Sequence, residues 1–182
     1  MGRKSADSAK IFIEETGIPM TWEEYLRDRE EILARLFPHA TLLPGVSRLV
    51  SHLKSHGIPI GVATSSHSRH FQLKSGGDNA PFFAQFDVIV RSNDPDVKHG
   101  KPLPDIFLVA RGRFEGAVPP CERVIVFEDA PNGVEAAFAA GMPVVMIPDK
   151  NVPAAQTAGA TQVIMSMEDF VPEEWGLPPF KA

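Results

Sequence analysis

Three groups of residues in this chain have the types and spacing to handle a phosphorylated ligand. Ala63-Thr64-Ser65-Ser66 follows an apolar run and precedes a helical stretch, so its hydroxyls and free backbone N–H groups can face an anion. Gly100-Lys101-Pro102-Leu103-Pro104-Asp105 holds an ammonium between stiffening prolines, which suits neutralising a phosphate oxygen. Glu128-Asp129 ends another apolar run, and carboxylates so placed call for a cation or an ion-pair partner. Oxygen donors of this kind suit Mg²⁺, which completes its shell with water and phosphate. Each group also has a purely local reading. Ser65 or Ser66 can cap the following helix, and so can Asp129, with Pro131 in its first turn. Lys101 can be an ordinary surface lysine, and Asp105 a first-turn acid favoured by the helix dipole.

The elements that position these groups follow from the hydrophobic pattern. Five apolar runs read as buried strands: 58–63, 86–90, 123–127, 142–147 and 162–164. Helical stretches lie between them, at 46–55, from about Ser66, at 105–113 and at 131–140. Apolar strands alternating with helices give an α/β fold, a Rossmann-like parallel sheet covered on both faces. Ligands in such folds collect at the carboxyl ends of the strands, where all three groups sit. The first forty residues differ. Ser5 to Thr16 reads as one amphipathic helix stopped by Gly17 and Pro19. Thr21-Trp22-Glu23-Glu24 has capping-box spacing and opens a second, which turns Tyr25, Leu26, Ile32, Leu33 and Leu36 towards a core.

Composition bounds the rest. The chain has 182 residues, 18 Lys+Arg against 23 Asp+Glu, a net charge of −5 and 43% hydrophobic residues. That is enough for one domain with a real core, and it lacks the basic footprint of a nucleic-acid binder. No apolar stretch approaches the roughly 20 residues of a membrane span. Cys121 is the single cysteine, so no intrachain disulfide can form and a reducing, cytoplasmic setting is expected. The seventeen prolines lie mostly at element boundaries and mark turns. Cys121 has no evident activating base. Ser65, Ser66 and His67 lack the Gly-x-Ser-x-Gly elbow of a serine hydrolase. His67 and His70 are spaced as metal ligands can be on a helix, but no third ligand is near in sequence, and an exposed helix face accounts for them.

The order of the three groups, strand-end Thr, Gly-Lys-Pro-x-Pro-Asp, strand-end Glu-Asp, resembles the second, third and fourth motifs of the haloacid-dehalogenase superfamily of phosphatases. Phe127-Glu128-Asp129-Ala130-Pro131-Asn132-Gly133-Val134-Glu135-Ala136-Ala137 is similar to the fourth motif of a narrower group. That group comprises eukaryotic pseudouridine-5′-phosphatases and plant glycerol-3-phosphatases. Met1-Gly2-Arg3-Lys4, Phe37-Pro38, Asp94-Pro95-Asp96-Val97 and Glu174-Trp175-Gly176-Leu177-Pro178 resemble it as well. The resemblance implies a Mg²⁺-dependent phosphatase. In it Thr64 and Ser65 bind the phosphoryl group, Lys101 stabilises charge, and Asp129 holds the metal with Glu128 as ligand or neighbour. Gly2, Arg3 and Lys4 are implied substrate contacts on a closing loop.

The superfamily's first motif, a strand ending in Asp-x-Asp-Gly-Thr that supplies the aspartyl nucleophile, has no counterpart here. Asp94-x-Asp96 is separated from its strand by Arg91-Ser92-Asn93, contains Pro95, and reads as a turn. The expectation is therefore that 1–40 is the remnant of a helical cap and 41–182 a core without its central strand. Two strands then face a gap, and the functional protein is longer than this chain. The alternative is a non-catalytic phosphometabolite- or partner-binding protein derived from such an enzyme.

Overall fold

The structure is a computed structural model that describes residues 5–181, with side chains described from Ser8 onward. Gly2, Arg3 and Lys4 lie outside the described residues. The chain opens with two helices, α1 (Ser5–Thr16) and α2 (Trp22–Leu36). Gly17 ends α1 in the left-handed region, at φ 65°, and its N–H closes on Ile13. At α2 the capping box forms as its spacing predicts. The Thr21 hydroxyl accepts from Glu24 N at 3.2 Å while the Glu24 carboxylate accepts from Thr21 N at 2.8 Å. The two helices meet through Phe12 stacked on Tyr25 at 4.9 Å. The expected inward stripe of α2 is only partly covered: Ile32 is 46% and Leu36 60% exposed, because α1 shields a single face.

The remainder is α/β, and its strands pair only in parallel. α3 (Val46–Ser55) precedes β1 (Gly61–Thr64), then come α4 (Ser68–Ser75), α5 (Ala80–Phe83) and β2 (Val88–Arg91). α6 (Asp105–Gly112), β3 (Val126–Glu128), α7 (Pro131–Ala139), β4 (Val144–Met146) and β5 (Gln162–Val163) follow. The strands are shorter than the apolar runs that foretell them. Pro59 has no N–H to give a ladder, so β1 begins two residues later. Residues Cys121–Arg123 form a 3₁₀ turn, so β3 begins at Val126.

The five strands form two sheets: β1–β2, and β3–β4–β5. Gly61 faces Val88 in the first, and Val126 faces Val144 in the second. No ladder joins β1 to β3 among the described residues. Both faces of the second sheet are buried. Val144 and Met146 pack with Val126, Val134, Ala136 and Ala137, whereas Val145, between them, packs with Leu49, Leu53, Ile164 and Phe170. Gly45 places α3 on this second cluster. Its φ is 82°, and a Cβ there would lie 2.6 Å from the Met167 carbonyl carbon, so only glycine fits. No helix among the described residues is long and apolar enough to cross a membrane.

Candidate active site

β1 delivers Thr64 at its carboxyl end, and the chain then turns before α4. The Thr64 hydroxyl accepts from Ser66 N at 3.1 Å, bending the backbone there. The capping alternative for Ser65 and Ser66 does not hold, because α4 starts at Ser68 with His67 in the N-cap position and no side-chain cap bond. Ser65 is exposed, and Ser66 Oγ accepts instead from Lys74 Nζ at 3.1 Å.

Lys101 is no surface lysine. It is 7% exposed and its ammonium donates to Ala63 O, on β1, at 3.0 Å. The same ammonium forms a short ion pair with the Glu128 carboxylate, at the end of β3, and lies 4.7 Å from the centre of the Phe107 ring. One side chain thus ties the ends of two strands that share no ladder. Its loop is anchored by Asp105, whose carboxylate accepts from Lys98 N at 3.2 Å and His99 N at 3.0 Å. Desolvation pushes that carboxyl up, but the hydrogen bonds from the His99 backbone and ring outweigh it and leave it below the usual carboxylate range. Asp105 is therefore more than a first-turn acid: it pins the turn that carries Lys101.

Glu128 is held by Lys101 on one side and by Gly133 below. A Cβ at Gly133 would fall on the Glu128 carboxylate, so the glycine in the first turn of α7 is what makes room for the buried acid. Asp129 differs from its neighbour. The N-cap of α7 is Ala130, with no side-chain cap bond, so the capping alternative fails here too. Asp129 is exposed and accepts no hydrogen bond from any described residue, leaving its oxygens open to a hard cation.

Lys74 is a site residue that sequence reasoning missed. It lies in the last turn of α4, eight residues beyond Ser66, and its ammonium sits 4.3 Å from the centre of the Phe37 ring. Burial lowers its pKa, and the nearby charge of Asp129 opposes that shift. Nothing in the local sequence marks it. The Asp94-x-Asp96 segment is the turn it reads as. Asp96 N donates to Asp94 Oδ1 at 3.1 Å, and Arg113 bonds both carboxylates at 2.6–2.7 Å. That pairing holds Asp94 below the usual carboxylate range.

A parallel α/β core with Thr, Lys and paired acids at its strand ends defines a class, and comparison with known proteins agrees. The chain belongs to the haloacid dehalogenase-like hydrolases, whose family pattern matches residues 12–141. It is 48% identical to (DL)-glycerol-3-phosphatase 2 of Arabidopsis thaliana over all of this chain and 76% of that protein. It is 43% identical to a probable pseudouridine-5′-phosphatase of Drosophila melanogaster, over 99% of this chain and 78% of that protein. Among solved structures, a putative β-phosphoglucomutase from Thermotoga maritima superposes with a TM-score of 0.71 at 27% identity. The superposition covers 92% of this chain and 76% of that one.

Proposed function

We propose that the protein is a Mg²⁺-dependent phosphatase of a small phosphomonoester, of the glycerol-3-phosphate or pseudouridine-5′-phosphate kind. The observation that carries this reading is Lys101: a buried ammonium held between the ends of β1 and β3, the strands that end in Thr64 and in Glu128-Asp129. A buried cation at strand ends in a parallel α/β fold is a charge placed for an anionic ligand. The similarity to phosphatases over the whole chain supports the same conclusion.

The residues present fit a divalent cation, since Asp129 has oxygens engaged by no described residue. In this reading Asp129 holds Mg²⁺, and Glu128 is less a ligand than the group that positions Lys101. The metal, when bound, offsets charge on the phosphoryl oxygens. Thr64 Oγ1 and the Ser65 N–H orient the phosphoryl group, and Lys101 balances the negative charge of nucleophile and phosphate together. The attacking carboxylate is the one that the Asp-x-Asp-Gly-Thr motif supplies in the resembling phosphatases, a motif that residues 1–182 do not contain. Its oxygen bonds to phosphorus as the ester P–O bond breaks, and the leaving alkoxide takes a proton from the second Asp. Water then cleaves the aspartyl-phosphate and releases inorganic phosphate. Residues 1–40 act as part of a cap, with Gly2, Arg3 and Lys4 touching substrate, over the core of 41–182. The protein works as a cytoplasmic monomer.

The test is phosphate release from both substrates with Mg²⁺, for this chain alone and for the chain fused at its N-terminus to an Asp-x-Asp-Gly-Thr strand. Activity is expected only in the fusion, and Lys101→Met and Asp129→Asn should each abolish it. A well-folded fusion that binds phosphate but turns over neither substrate would favour the non-catalytic binding protein instead.

A further inference from the structure

Glu30, His67 and His70 stand apart from the phosphate-facing groups and converge from two directions. Glu30 projects from the third turn of α2. His67 and His70 occupy the N-cap and first turn of α4. One ligand atom from each of the three lies within 4.8 Å of the other two. His70 Nε2 is 2.7 Å from Glu30 Oε2, and the two imidazole rings lie 3.9 Å apart between centres. The His70 side chain is 12% exposed, and His67 makes no side-chain hydrogen bond with a described residue. The three ligand atoms thus face one another across a space that a small cation can bridge. The third ligand, invisible in the local sequence, comes from α2.

We propose that these three residues bind a divalent transition-metal ion of the zinc type, clamping α2 to α4. Two imidazoles and one carboxylate suit Zn²⁺ and its neighbours, whereas Mg²⁺ prefers an all-oxygen shell. Three protein ligands leave a fourth tetrahedral position for water or a small anion. Arg69 places a positive charge near His67, which the negative charge of Glu30 opposes. The proposal does not depend on the phosphatase reading, because its measurement is metal binding by the chain as it stands.

The test is titration of the chelator-treated 182-residue chain with Zn²⁺ by calorimetry, and with Co²⁺ by visible absorption, which reports tetrahedral coordination. One ion per chain is expected, unaffected by millimolar Mg²⁺. His67→Gln and His70→Gln should weaken binding by at least about 100-fold, the upper end of what loss of an outer-shell partner costs. Glu30→Gln should weaken it less, and His99→Gln, on an exposed loop, should leave it unchanged. Imidazole nitrogen NMR of the unaltered chain provides a readout independent of variant folding: Zn²⁺ must shift the His67 and His70 signals and not that of His99. No uptake, uptake unchanged in H67Q and H70Q, or equal competition by Mg²⁺ would each overturn the proposal.

Discussion

Lys101→Met tests whether one buried ion pair holds the two sheets in register. The ammonium and the Glu128 carboxylate are 7% and 8% exposed, and no described residue offers a second cation to that acid. Methionine keeps the length and apolar stem of lysine but leaves the carboxylate uncompensated. Breaking a buried pair from one side costs about 3–5 kcal/mol, and losing the bond to Ala63 O adds about 1 kcal/mol. Against a total stability of about 5–15 kcal/mol, that is a severe loss. It corresponds to a drop in Tm of roughly 10 °C or more for a chain of this size. The double variant Lys101→Met/Glu128→Gln should recover much of it, since the penalty comes from the orphaned charge and glutamine occupies the same space over Gly133. Urea unfolding followed by circular dichroism, on the two variants and the parent chain, measures both quantities. A K101M variant within 1 kcal/mol of the parent, or a double variant no more stable than K101M, would refute the argument.

Two further outcomes follow from the geometry. Gly133→Ala should cost about 1–3 kcal/mol, because its Cβ lands on the Glu128 carboxylate, and most of that cost should vanish in a Glu128→Ala background; additive losses in chemical denaturation would disprove the contact. Asp87 accepts from Lys54 Nζ at 2.7 Å and from Ile60 N at 2.9 Å, which hold its carboxyl below the usual carboxylate range. A carboxyl depressed on folding contributes stability above its unfolded pKa and loses it as pH falls towards the folded value. Asp87→Asn should therefore flatten the fall in stability below about pH 4, measured as denaturation midpoint against pH, and an unchanged slope would rule Asp87 out as a contributor.

The strand–helix alternation was legible in the sequence because burial on both faces leaves continuous apolar runs, as in Met142–Ile147, and because Gly17 and the Thr21–Glu24 box act over one helical turn. Strand lengths were less legible, since Pro59 and the turn at Cys121–Arg123 trim the ladders from within the apolar runs. Thr64, Lys101 and Asp129 could be singled out by their order at strand ends. Whether Ser66 and Asp129 merely capped helices could not, because a hydroxyl or carboxylate before a helix has the same local signature in either role. Tertiary structure decided it by starting α4 at Ser68 and capping α7 at Ala130. Only packing could reveal that Lys101 is buried on Glu128, that Gly133 exists to seat that acid, that Lys74 reaches Ser66, and that Glu30 completes a set with His67 and His70. These contacts join residues 8 to 40 positions apart in sequence, or, at Gly133, residues five apart that the turn from β3 into α7 folds onto each other. Chain periodicity carries information over a few residues, whereas the charge and space that govern these groups are set by neighbours the fold brings in from elsewhere.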